Sequence, residues 1–170
     1  IRLTGYNYSQ SPIKLIKINK NIKIQEDSKF IEVQKSNVSL NIDFEIKYKN
    51  KVINTQSNKL NVFEDELDDI FNSRTFCLYQ DIEKLKKLGL GKGGNLENAI
   101  VVDNEKILNK EGLRNNLEFV NHKILDCLGD LYLAGYRLIG NIKCSQGGHY
   151  LTNKLIKKIF SDQANYSLIE

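Results

Sequence analysis

The chain has 170 residues, 41% of them hydrophobic, which is enough to bury the core of one globular domain or of one compact half of a larger protein. Its formal charge of +4 is modest; residues 1–60 hold 11 Lys/Arg against 5 Asp/Glu, yet Tyr6, Tyr8 and Tyr48 form no aromatic-basic recognition motif, so nucleic acid is not an expected partner. No run of about 18 apolar residues offers a transmembrane segment, the first residues resemble neither a signal peptide nor an anchor, and Cys77, Cys127 and Cys144 lack the C-x-x-C spacing of a structural zinc site or the even number of a disulfide framework, so buried reduced thiols and a cytoplasmic location are expected. With no initiator Met and no Met elsewhere, the chain reads as a piece beginning partway through its gene product.

Lys14 to Ile18, Asn21 to Ile24 and Phe30 to Gln34 are short strand candidates separated by polar turn residues, a pattern that predicts an antiparallel meander. Val38, Leu40, Ile42, Phe44, Ile46 and Tyr48 alternate with Ser39, Asn41, Asp43, Glu45 and Lys47, the period of a long strand with one wet face. Phe63, Leu67, Ile70 and Phe71 then stand at i, i+4, i+7 and i+8, predicting a helix whose solvated face carries Glu64, Asp65, Glu66, Asp68 and Asp69. After Ser73-Arg74-Thr75-Phe76 comes an insert over about 77–103: a helix from Asp81 to Leu88, the glycine-rich run Gly89 to Gly94, and a buried strand from Ala99 to Val102. A long helix from Leu117 to Leu133 has Val120, Ile124, Leu128 and Leu131 as its core stripe, and a strand from Tyr136 to Cys144 and a helix from Leu151 to Phe160 complete the pattern. The expected fold class is α+β over residues 1–170, an antiparallel or mixed sheet packed against two main helices with a small strand-helix-strand insert.

On the long helix His122, Asp126 and Asp130 recur at i, i+4 and i+8, each step adding about 40° of rotation, so the three share one polar stripe. A neutral imidazole and a carboxylate one turn apart can reach a single zinc ion, and Gly129 leaves room beside them; the plain alternative is an exposed face with an intrahelical ion pair. His149, the other histidine, follows Gln146-Gly147-Gly148 at the start of a helix and suits either a general acid steadied by a carboxylate or a surface cap. Gly89, Gly91 and Gly94 match the dinucleotide fingerprint only formally, because they follow a helix and precede a strand, and Lys92 is followed by Gly93 where a phosphate loop needs Ser or Thr.

Five ordered blocks resemble the UDP-3-O-acyl-N-acetylglucosamine deacetylases: Ser73 to Phe76, Gly93 to Asp103, Glu111 to Arg114, Glu118 to Asp126, and Gly129 to Leu131. The resemblance covers about residues 72–160. It implies that His122 and Asp126 are two of three protein ligands of a catalytic zinc, that His149 is the catalytic histidine oriented by Asp130, that Thr75 places its hydroxyl near the oxyanion, and that Phe76 lines the substrate site with Lys123 beside the sugar. It further implies that Ile82, Leu96, Ala99 and Val101 wall a passage for the substrate's acyl chain. The implied activity is hydrolysis of the N-acetyl group of UDP-3-O-acyl-N-acetylglucosamine, the committed step of lipid A synthesis. The family's His-x-x-Glu-His segment, source of the third ligand and the general base, is absent, so the chain matches the C-terminal half and would need the N-terminal domain of the same enzyme as its partner. Gln146-Gly147 stands where the family has Lys-Ser, and Tyr150 where it has a small residue, which changes the side chains available to the diphosphate. The competing reading is a non-catalytic domain that binds the nucleotide sugar or acyl chain.

Overall fold

The computed structural model describes residues 14–169; Tyr6, Tyr8 and the first four residues lie outside the described residues. The alternation read from the sequence is realised in β4 (Leu40–Lys47), where Leu40, Ile42, Phe44 and Ile46 are buried and the residues between them are partly wet. Val38 lies before the strand and is 78% exposed, because the hydrogen-bonded ladder begins only at Leu40.

β2 (Ile22–Glu26) and β3 (Lys29–Gln34) form the expected antiparallel hairpin, turning through Asp27 at φ 50°. The wider meander does not form. β1 (Leu15–Ile18) pairs antiparallel with β10 (Tyr166–Ile169) and parallel with β9 (Arg137–Ser145). β9 is also bonded antiparallel to β3 on one edge and parallel to β4 on the other. Its Leu138, Ile139, Gly140, Ile142, Cys144 and Ser145 are buried, which marks a central strand, and so the last third of the chain inserts between strands that are neighbours in sequence. β5 (Thr55–Asn61), which has only Leu60 buried, closes the far edge against β4. Among the described residues the result is a mixed seven-stranded sheet, and α3 (Glu118–Tyr132) and α4 (His149–Phe160) pack together against it over one core that includes Phe44, Ile142, Phe119, Ile124, Leu155 and Ile159. The α+β class expected from the sequence is the class observed.

The helix predicted around Phe63 to Phe71 shrinks to one turn, α1 (Asp68–Phe71), with Ile70 buried and Phe63 and Phe71 exposed. Local bonds compete with helix here: Asn61 accepts from the Phe63 amide and donates through its own amides to Asp65 and Glu64. In the insert, β6 (Thr75–Leu78) runs through a 3₁₀ turn into α2 (Ile82–Lys87) and returns parallel as β7 (Ala99–Asp103). β8 (Lys106–Ile107) adds a short antiparallel edge, giving a separate three-stranded sheet. Among the described residues no helix is long and apolar enough to cross a membrane.

Candidate active site

The site is built where α3 meets the first turn of α4. Just ahead of α3 Asn115 accepts from the Leu117 amide, and Phe119, Val120, Ile124 and Leu128 turn one face of the helix into the core. That fixes His122, Asp126 and Asp130 along a neighbouring, largely covered ridge, with side-chain exposures of 15%, 17% and 10%. His122 Nε2 lies 3.4 Å from Asp126 Oδ1, and Lys123 Nζ donates to Asp126 Oδ2 at 2.5 Å. Burial pushes the pKa of His122 down, with the Asp126 carboxylate opposing, so the ring is held neutral as metal ligation requires. Its buried Nδ1 makes no hydrogen bond of good geometry, although the Ser73 backbone is near enough to favour the protonated ring.

His149 is the first residue of α4, whose start lies two residues earlier than the sequence predicted. Its Nδ1 sits 2.9 Å from Asp130 Oδ2 and 3.0 Å from Oδ1, while its Nε2 is 4.0 Å from Asp126 Oδ2. The imidazole is 64% exposed, so one nitrogen is held and the other is open toward the His122–Asp126 pair. Among the described residues no group of three or more His, Cys, Asp or Glu gathers to hold a metal. The pair fits zinc in donor type and falls short in number.

β6 brings Thr75 and Phe76 alongside α3. Thr75 is exposed, and Phe76 stands edge-on to Phe119 at 5.1 Å and to His122 at 6.3 Å. The four residues expected to wall an acyl passage divide. Ala99 and Val101 are buried on the face of β7 away from Ile100 and Val102, which join the main core, whereas Ile82 is half-buried and Leu96 is 46% exposed.

Two features escaped the sequence reading. Tyr48, which follows β4, stacks edge-on to Phe76 at 5.7 Å; burial pushes its phenol pKa up, while the Lys123 charge pulls it back. Arg74, 3% exposed at its side chain, is the hub that ties β6 to α3. Its Nε donates to Glu118 Oε1 at 2.8 Å, its Nη1 to Glu111 Oε1 at 2.5 Å and its Nη2 to the Gly112 carbonyl at 2.7 Å. Glu118 is fully buried and also accepts from the Arg114 amide at 2.6 Å. The signal, three charged residues spread over 44 positions, carries no period, so nothing in the sequence alone pairs them.

The model of the LpxC family, described as UDP-3-O-acyl N-acetylglycosamine deacetylase, matches residues 1–161. The chain is 40% identical over 168 residues to the UDP-3-O-acyl-N-acetylglucosamine deacetylase of Psychrobacter sp. (strain PRwf-1), covering 97% of this chain and 56% of that one. It is 41% identical over 160 residues to the deacetylase of the same name from Sulfurimonas denitrificans, covering 94% and 54%. Against that of Aliarcobacter butzleri the figure is 41% over 172 residues, covering 100% and 57%. The chain thus spans about half the length of the curated relatives it matches.

Proposed function

The chain belongs to the UDP-3-O-acyl N-acetylglycosamine deacetylase family, and from that membership we propose that the protein it forms part of hydrolyses UDP-3-O-acyl-N-acetylglucosamine to UDP-3-O-acyl-glucosamine and acetate in the cytoplasm, committing the sugar to lipid A. This chain is the C-terminal half of that enzyme. The carrying observation is the His149 ring, bonded through Nδ1 to Asp130 with its Nε2 open beside the His122–Asp126 pair.

The bond broken is an amide, so the nitrogen must leave with a proton and the carbonyl oxygen must be stabilised as charge builds on it. Asp130 fixes the orientation of the imidazole, so His149 Nε2 can stabilise the oxyanion and then protonate the departing amine. Thr75 presents its hydroxyl from the start of β6, and Phe76, edge-on to His122, gives the pocket an apolar side. Lys123, held by Asp126, sets a positive charge beside the sugar. His122 and Asp126 would hold a zinc ion, with the third protein ligand and the general base coming from outside this chain. When bound, zinc polarises the carbonyl and lowers the pKa of water. Ile82, Leu96, Ala99 and Val101 are proposed to contact the acyl chain, Leu96 from its exposed position.

In the full-length enzyme His149→Ala should lower kcat by about 10²–10⁴-fold with zinc content unchanged, as loss of a general acid does. Turnover at the wild-type rate would remove His149 from the mechanism. The second reading, a non-catalytic domain that binds the nucleotide sugar or acyl chain, draws on the two-ligand metal pair alone, and deacetylase turnover by the intact protein excludes it.

A further inference from the structure

β9 ends at Ser145 and α4 begins at His149, so Gln146, Gly147 and Gly148 are the whole connection that carries the chain from the central strand to the imidazole. The glycine at 147 is not demanded by its backbone. Positive φ falls on Gln146, at 54°, and not on Gly147, while Gly148 is extended at −172°. Space demands it: a Cβ placed on Gly147 would overlap the Sγ of Cys144, with Leu151 Cδ1 and the Phe30 carbonyl oxygen each 4.0 Å away behind it. Cys144 is 2% exposed and sits in β9 between Ile31 of β3 and Phe44 of β4. Burial pushes its pKa up to about 12, with the Gly147 backbone beside it pulling the other way, so it is a neutral thiol. It has a single side-chain torsion with which to yield.

We propose that Cys144 is a positioning residue for His149: its thiol fills the volume that a side chain at 147 would need, presses residues 146–148 onto the end of β9, and so starts α4 where the imidazole meets Asp130. The same contact gives a physical reason for glycine at 147. The consequence for turnover rests on the deacetylase reading; the packing of Cys144 against Gly147 does not.

The test is a pair of variants in the full-length enzyme. Gly147→Ala alone should cut kcat by about 100-fold with little change in KM and with zinc content intact, the size expected when a catalytic group is displaced by about 1 Å. In the Cys144→Ala background the same Gly147→Ala change should cost less than about threefold, because the volume has been vacated. Wild-type turnover in Gly147→Ala, or an equal loss in both backgrounds, overturns the proposal. Should Gly147→Ala fail to fold, recovery of folding in the double variant supports it and continued failure overturns it. Should the wild-type enzyme show no deacetylase turnover, the proposed function falls, and the His149 Nδ1 to Asp130 spacing in crystals decides the positioning: lengthened in Gly147→Ala and restored in the double variant supports it, unchanged overturns it.

Discussion

Glu118 shows how one side chain can hold two segments of the site in place. Burial opposes its charge, but Arg74 and the backbone amides of Arg114 and Arg74 outweigh that, and its pKa falls below the ordinary glutamate value. A native state that binds fewer protons than the unfolded chain gains stability as pH rises. The contribution is therefore fully present above the unfolded pKa of about 4.3 and is lost as pH falls through the lower folded value. Glu118→Gln should remove about 3 kcal/mol at neutral pH, because Arg74 keeps only the half-exposed Glu111 as a charged partner. Unfolding free energies measured from pH 2 to 6 should also give a shallower acid limb for the variant than for the wild type. An unchanged slope would mean that Glu118 is not charged in the folded protein.

At the scale of elements, the insert is fastened by a residue that the sequence did not single out. Asn109, 4% exposed, donates to the carbonyls of Leu96 and Ala99 at 2.6 and 2.8 Å and accepts from the Val101 amide at 3.0 Å. Removing it leaves backbone groups of β7 without partners, at about 1–3 kcal/mol for each buried one. Because the loss is local, Asn109→Ala should raise the rate of proteolytic cutting within residues 88–98 by about tenfold while the unfolding midpoint of the sheet moves little. Equal cutting in both proteins would show that the insert is held by other contacts. The elements also differ in how legible they were. α3 was readable because its apolar stripe continues for four turns and is buried throughout, whereas Phe63, Leu67, Ile70 and Phe71 carry the same period and give one turn, since Asn61 and its acidic neighbours satisfy each other locally.

At the scale of the molecule, His122 and Asp126, proposed as metal ligands, and His149, proposed as the catalytic histidine beside them, make up one side of a site. The isolated chain is expected to bind zinc much more weakly than the intact enzyme and to show no deacetylase turnover, which zinc titration of the two proteins under the same conditions measures. Tight, stoichiometric zinc on the 170-residue chain would mean that the missing ligand has a substitute within it. The helix stripe that places His122, Asp126 and Asp130 on one ridge was determined by the sequence alone, because a helix converts spacing into direction without help from the rest of the fold. So was the α+β class, since periods of two and of 3.6 are local properties. Tertiary structure alone decided that β9 enters the middle of the sheet, that Arg74 meets Glu118 across 44 residues, and that the imidazole of His149 arrives at Asp130 over a glycine packed on a thiol. These are contacts between distant segments, set by which faces must be buried together, and no local pattern encodes them.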